Sequence, residues 1–478
     1  MMRTAFVFVA GLSYLPPRAL PAEPEADSLR AARDAVIEEV ARIRGLPFRH
    51  PVPASNLERD SLRQRLLGLL DEEYPEEEAR ADAAAGAQLG FFAGEIDLRA
   101  VLLGTLGEEV AGYYDPQAKR LYLIEAEPVP KRWWHKIFGR GSRAGSADFE
   151  AALAHELAHS LADQHFDLFS LGRSVESDED AALAVEALVE GDATLVMLLA
   201  TSDPATREAL LARTPGAIDR YLRELGPVLA ALAAGRSFRD APLLVRESLL
   251  FPYLGGLSLS LRLAAGGRWD LADRAFREPP ASTEQVLHPE KYPVLGGPNA
   301  DPPLAIELPP GGPFEESEGR GEEAPAWRLV KENCLGEFQT EVLLRPRLGR
   351  SRSVPAAAGW DGDTYRLYRR EGASGTTCLV WVSSWDGPED AAEFAAAAEA
   401  HFRSLGAAAG GSGGGGAPEV VLRVSGSDVT IARGTVPGAF LERVAAWASS
   451  FRRAEKAIRI RTFETPVRFG DQGLERTF

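Results

Sequence analysis

The sequence predicts an α+β protein, with a mainly helical first part that contains a small β-hairpin and a smaller α+β domain behind it. Apolar residues recur at helical spacing through long segments of the first part, as in residues 27–43 and 178–200. Two short aromatic and aliphatic runs flank the turn-forming string DPQAK within residues 111–124, which is typical of a β-hairpin. After residue 326, short β-type runs alternate with two helical segments.

Composition narrows the class of protein. The chain has 478 residues and a net charge of −17, with 45% hydrophobic and 26% charged residues. This is globular composition, and a strongly acidic chain is a poor partner for nucleic acid, whose phosphates need a basic face. We expect no transmembrane helix, because no apolar run approaches the roughly 18 residues that such a helix requires. Two cysteines are too few for a disulfide scaffold.

Residues 1–22 have the pattern of a secretory signal peptide. Arg3 precedes an apolar stretch, and the small residues Ala19 and Ala22 follow it. We therefore expect an exported protein, in the periplasm, in the cell envelope or secreted; the alternative is a buried N-terminal strand. Export would allow Cys334 and Cys378 to form a disulfide.

The first domain is predicted to cover residues 27–295. Its expected helices follow from apolar spacing and from the Gly and Pro residues that interrupt it. They cover residues 27–43, 56–71, 147–164, 178–200, 217–234 and 243–263, with the hairpin at 111–124 and a basic surface loop at 131–143.

A linker and a second domain are expected to follow. Residues 296–325 are rich in Pro, Gly and Glu, which cannot bury much apolar area, so they predict a linker. The second domain, residues 326–478, has no role that its composition specifies. Its predicted strands cover 327–344, 364–368, 377–382, 420–424 and 429–432, and its helices 388–405 and 438–451, with a Gly-rich loop at 410–416.

The string HELAH at residues 155–159 contains the candidate metal ligands and the candidate catalytic base. His155 and His159 are four residues apart, so on a helix they share one face and both imidazoles can bind one zinc ion. Glu156 lies beside the first histidine, where a carboxylate can accept a proton from water. The sequence therefore predicts zinc ligands at His155 and His159, with Glu156 as general base.

A catalytic zinc site needs a third protein ligand. His165 follows at the spacing of the metzincin motif, but Ala162 stands where that motif has the glycine that permits a bend. On an unbroken helix, His165 would point away from the face of His155 and His159. The alternative is a carboxylate on the next long helix, which carries Glu186 and Glu190.

The order of these parts resembles that of gluzincins, zinc peptidases whose third ligand is a Glu on a helix packed against the HExxH helix. The hairpin, HELAH and the string EGDA at residues 190–193 carry the resemblance, over residues 111–194 and less distinctly to residue 292. It implies a zincin-like fold, with Glu190 as third ligand and Glu186 as the alternative. It also implies that the strand before the HExxH helix lines the substrate cleft.

The strings GYYDP, HELAHSLADQHFDL, EALVEGDAT and STEQVLHPEKY together are similar to a family of uncharacterised bacterial HExxH proteins. In several gluzincins a His or Tyr beyond the Glu-bearing helix stabilises the oxyanion, which would give His288 that role here. We expect a zinc-dependent peptidase acting on a peptide or protein substrate. The alternatives are a non-catalytic zinc-binding scaffold and a zinc hydrolase of a non-peptide amide.

Overall fold

The computed structural model describes residues 27–57, 74–106, 112–124, 146–222, 236–310, 326–372, 376–409 and 418–458, with isolated positions between 61 and 73 and at 314 and 460. The protein is an α+β protein, as predicted. The predicted signal peptide at 1–22, the predicted basic loop at 131–143 and the predicted Gly-rich loop at 410–416 lie outside the described residues.

Helices make up most of the described first part of the chain. The helices and strands of all described residues are numbered in chain order. The helices are α1 (Asp27–Arg44), α2 (Glu76–Leu89), α3 (Leu98–Leu106), α4 (Ser146–Phe166), α5 (Leu168–Arg173), α6 (Glu179–Ala200), α7 (Pro204–Leu211), α8 (Arg236–Asp240), α9 (Leu243–Leu263), α10 (Trp269–Arg277), α11 (Thr283–Leu287), α12 (Pro293–Gly296), α13 (Gly336–Leu348), α14 (Arg350–Ala357), α15 (Pro388–Ala409) and α16 (Gly438–Ala448). The strands are β1 (Ala54–Leu57), β2 (Gly112–Asp115), β3 (Arg120–Ile124), β4 (Leu304–Glu307), β5 (Trp327–Asn333), β6 (Trp360–Arg370), β7 (Thr377–Trp385), β8 (Glu419–Ser425), β9 (Asp428–Gly434) and β10 (Arg452–Glu455).

A small sheet of order β1-β3-β2 packs beside α4. β2 and β3 form the predicted antiparallel hairpin, and β1 pairs with β3 in parallel. Asp115 sets the turn between β2 and β3, because its Oδ1 accepts the backbone N–H groups of Gln117 and Ala118 at 3.0 and 2.8 Å. Because β2 pairs only with β3 among the described strands, it forms one edge of the sheet.

Helix α6 lies at the centre of the first part. It packs against α1, α4 and α9, and nearly all of its residues are buried, which explains its apolar composition on every face. Asp178 caps its first turn by accepting the N–H of Ala181 at 2.9 Å. Gly191 lets the backbones of α6 and α9 touch, since a Cβ there would overlap the backbone of Gly256.

The C-terminal part is a five-stranded antiparallel sheet of order β5-β6-β7-β9-β8 with helices on both faces. The central strand β7 is buried throughout, and its residues alternate between the two faces. Leu379 and Trp381 belong to the core that includes Phe394 of α15, whereas Val380 and Val382 face the core that includes Leu441 of α16.

Three predictions of secondary structure are wrong in part. Residues 327–344 were expected to form one strand, but β5 ends at Asn333 and α13 begins at Gly336. The second expected helix was to begin at residue 56, whereas Asn56 and Leu57 belong to β1, and helix is found only at described positions from 61 onward. The expected linker, 296–325, contains β4, which pairs with β10 far along the chain.

The two predicted domains share a hydrophobic core. Leu188 of α6 and Phe251 of α9 belong to the same buried cluster as Phe338 of α13 and Trp381 of β7. The side chains of Phe251 and Phe338 are in direct contact, with ring centroids 4.2 Å apart. The division at residues 296–325 is therefore not a gap between two separate cores.

Lysines add ion pairs between the two parts. Lys456, which follows β10, contacts Asp178 at 2.9 Å and Asp180 at 3.2 Å, both at the start of α6. Lys331 of β5 contacts Asp82 at 2.6 Å and Glu179 at 3.3 Å. The C-terminal sheet is thereby joined to the N-terminal end of the helix that carries Glu190.

Both cysteines are buried and free, so Cys334 and Cys378 form no disulfide in this structure. The thiol of Cys334 donates to Asp178 Oδ1 at 3.2 Å. Among the described helices, none combines the length and the apolar character that crossing a bilayer requires.

Candidate metal centre

His155, His159 and Glu190 converge on one point between α4 and α6. The two Nε2 atoms of His155 and His159 lie 3.0 Å apart. Glu190 places Oε2 at 3.2 Å from His155 Nε2 and Oε1 at 3.4 Å from His159 Nε2. All three side chains are largely shielded from solvent.

These spacings fit a metal ion bound by three protein atoms. Ligands at about 2.0–2.1 Å from a tetrahedral zinc ion lie about 3.3 Å from one another. The observed separations of 3.0, 3.2 and 3.4 Å are close to that value. Two imidazoles and one carboxylate also form the donor set of known three-ligand catalytic zinc sites.

Electrostatics favour an anionic Glu190. Burial alone would raise its pKa, but the charge of His159 and the hydrogen bonds from both histidines outweigh burial and lower the pKa to about 2. Conversely, Glu190 raises the pKa of His159 above its usual value although burial opposes the charge. Without a metal, the Glu190 carboxylate therefore favours the protonated form of His159.

The alternative ligands lie elsewhere. Glu186 is buried one turn before Glu190, and neither of its carboxyl oxygens has a hydrogen-bond partner among the described residues. Burial and repulsion from Glu190 raise the pKa of Glu186 well above its usual range, which favours its neutral form. His165 turns away from the cluster, and its Nε2 lies 2.8 Å from the carbonyl oxygen of Pro47.

Glu156 lies between the two histidines and the edge strand of the hairpin. Its Oε2 accepts the backbone N–H of Tyr114, in β2, at 2.8 Å. Burial raises the pKa of Glu156, while the charges of His155 and His159 oppose that rise. A carboxylate with a raised pKa is better suited to exchange protons near neutral pH than an exposed one.

The structure adds Tyr253 of α9, which sequence reasoning missed. Its ring centroid lies 6.3 Å from that of His155, and its hydroxyl is hydrogen-bonded to Glu190. Burial and the charge of Glu190 raise the pKa of Tyr253 well above its usual value, so the hydroxyl stays protonated. The available signal was the pair Gly255-Gly256, whose second glycine brings α9 against α6.

The structure pairs His288 with a different group. Its Nε2 lies 2.9 Å from Glu337 Oε1, and its Nδ1 lies 3.6 Å from Glu290. Glu337 raises the pKa of His288 through their hydrogen bond. His288 thus joins α11 to the start of α13, while Tyr253 is the residue seen in contact with His155 and Glu190.

Arg44 of α1 anchors the segment just after Glu190. Its Nε lies 3.0 Å from Asp192 Oδ1, its Nη1 lies 2.7 Å from Asp273, and its guanidinium stacks 4.9 Å from the ring of Trp269. Arg44 and Asp192 are both buried. The first described helix is therefore an integral part of the wall around the candidate metal ligands.

Comparison with known proteins identifies only the C-terminal part. The model of a family described as a domain of unknown function (DUF8575) matches residues 327–445, from β5 into α16. No curated protein and no solved structure gives a significant match to the chain.

Proposed function

We propose that this protein is a zinc-dependent peptidase with a zincin-like catalytic part. The convergence of His155, His159 and Glu190, with Glu156 beside them, carries the proposal. A purely structural zinc site has four protein ligands and no use for an adjacent base, whereas three ligands leave a position open for catalysis. The succession of edge strand, HExxH helix and Glu-bearing helix supports the zincin-like assignment.

Each group in the site has a chemical role in this proposal. When bound, a zinc ion supplies Lewis acidity, which favours the loss of a proton from water and polarises a carbonyl group. Glu156 accepts that proton and returns it to the leaving amine. If Glu190 holds the metal, the protonated hydroxyl of Tyr253 would turn from that carboxylate and donate to the oxyanion that develops on the substrate carbonyl.

The edge of β2 supports an extended peptide as substrate. In an antiparallel pair, successive residues point their backbone groups alternately toward the partner strand and away from it. Because the N–H of Tyr114 points to Glu156, Tyr114 and Gly112 are the residues whose backbone groups face away from β3. An extended substrate would hydrogen-bond there and place its scissile carbonyl near Glu156.

The test combines metal content with hydrolysis. Purified protein loaded with zinc is expected to hold about one ion per chain and to cleave peptides from a mixed-sequence library. Removal of zinc with a chelator should abolish cleavage, and zinc should restore it. His159→Ala should lose the metal and His165→Ala should keep it. A protein that binds one zinc ion and cleaves no peptide would be a scaffold or a hydrolase of another amide.

A further inference from the structure

The hairpin is fixed to α4 at a second point, away from the metal ligands. The hydroxyl of Tyr114 donates to Asp163 Oδ2 at 2.8 Å, and Lys119 Nζ lies 2.9 and 2.8 Å from the two oxygens of Asp163. Asp163 also accepts the N–H of Leu168 at 3.1 Å, and its side chain is fully buried. The carboxylate of Asp163 therefore binds a residue on each side of the hairpin turn, and it also binds the beginning of α5.

Tyr114 contacts α4 at two positions along the helix axis. Its backbone N–H binds Glu156, and its hydroxyl binds Asp163, seven residues farther along the same helix. Residues seven apart on a helix share a face and lie about 10 Å apart along its axis. The two contacts together determine both the position and the rotation of β2 against α4.

The backbone conformation of Lys119 is a second observation which indicates that contacts with α4 hold the hairpin in place. Its φ of 51° lies in the left-handed region, which is unfavourable for a residue with a side chain. Such a conformation persists where surrounding contacts stabilise it, and the ion pair with Asp163 is the contact of this kind. The hairpin has its own internal contacts as well, including the stacked rings of Tyr113 and Tyr122 at 4.9 Å.

We propose that Asp163 is a positioning residue, which acts through Tyr114 and Lys119 to hold the outer edge of β2 beside Glu156, where an extended substrate would pair. This inference rests on the proposed peptidase function. Asp163 itself would touch neither the metal nor the substrate. Its loss would leave the metal ligands and the hairpin intact but loosen the edge on which the substrate is aligned.

The first test uses hydrogen exchange and needs no substrate. The amide of Tyr114 should be protected in the wild type, because it is bound to the Glu156 carboxylate. That amide should exchange at least about tenfold faster in Tyr114→Phe, which loses one charge-assisted hydrogen bond, and in Asp163→Asn, which loses the charge that binds both Tyr114 and Lys119. Tyr221→Phe is the matched control, because that ring lies against Arg213 and not against Asp163. Unchanged exchange in both test variants would overturn the proposal.

The second test uses peptides of different length. For long peptides, we expect Asp163→Asn and Tyr114→Phe to raise KM about tenfold, with zinc content unchanged. For short substrates that barely reach beyond the scissile bond, KM should change less than about twofold. The double variant should be no worse than Asp163→Asn alone, because Asp163→Asn already weakens the contact that Tyr114→Phe removes. Lys119→Arg should retain wild-type behaviour, and Lys119→Met should resemble Asp163→Asn.

The outcomes separate the two proposals. Equal loss for long and short peptides, or additive effects in the double variant, would mean that Asp163 supports the fold in general and does not position the substrate. If the zinc-loaded wild type cleaves no peptide, the proposed function fails, and the exchange measurement alone then decides whether Asp163 holds β2 at Glu156.

Discussion

Replacing Glu190 by glutamine should weaken zinc binding at least about 300-fold. The substitution keeps the size of the side chain and removes its charge at a buried position. In the absence of metal, the histidines already lower the pKa of Glu190 from 4.5 to about 2 against the effect of burial. That lowering corresponds to about 3–4 kcal/mol of preference for the charged form. A divalent ion at the same point should favour the carboxylate at least as strongly.

Glu186→Gln is the matched control for this measurement. Glu186 is buried on the same helix one turn earlier, and its raised pKa favours the uncharged form. Its substitution should therefore change zinc affinity by less than about threefold. Competition with a zinc-binding indicator at constant pH measures both affinities. Equal losses in the two variants, or a larger loss in Glu186→Gln, would refute the assignment of Glu190 as ligand.

Three further predictions concern stability. Arg44→Met leaves the buried Asp192 without its cation and should lower the free energy of unfolding by about 3–5 kcal/mol. Gly191→Ala should lower it by at least about 1–3 kcal/mol and reduce zinc affinity, because the added methyl group overlaps Gly256. Burial lowers the pKa of His401 from 6.5 to about 4, so the folded state binds a proton less readily than the unfolded state. Stability should therefore decrease by about 2–3 kcal/mol between about pH 7.5 and about pH 4.5, and His401→Gln should remove that contribution.

Urea unfolding measures all three effects. Arg42→Met and Gly216→Ala are suitable controls, because Arg42 is exposed at the same helix end and a Cβ on Gly216 meets no atom within 4 Å. Each control should shift stability by less than about 0.5–1 kcal/mol. An Arg44→Met variant as stable as Arg42→Met would contradict the anchoring of α1. A pH dependence that survives in His401→Gln would assign it to other groups.

Local patterns were sufficient to predict the helices that carry the candidate metal ligands. The helix expected at 147–164 is α4, Ser146–Phe166, and the one expected at 178–200 is α6, Glu179–Ala200. Both have periodic apolar residues, and α6 begins at a capping aspartate, Asp178, that is adjacent in sequence. The spacing of His155 and His159 follows directly from helix geometry. Apolar periodicity, helix capping and the spacing of the two histidines all depend on residues within one or two helical turns of each other.

The errors arose where distant residues determine local structure. Helix α13 starts at Gly336 because the buried carboxylate of Asp363 accepts the N–H groups of Leu335 and Gly336, at 2.9–3.1 Å. That cap is provided by strand β6, so the apolar run after Asn333 gave no sign of a helix. β4 likewise depends on pairing with β10. Tyr253 reaches the metal ligands only because α9 crosses α6 at Gly256, which periodicity cannot reveal.

The hydrolytic activity of Glu156→Gln tests the central claim most directly. Glutamine keeps an oxygen that can accept the N–H of Tyr114, so the site should stay folded and should bind about one zinc ion. Without a base, peptide hydrolysis should fall about 10²–10⁴-fold relative to the wild type. Glu150→Gln, an exposed change on the same helix, should leave the rate unchanged. A zinc-loaded Glu156→Gln protein that hydrolyses peptides at the wild-type rate would contradict the proposed mechanism.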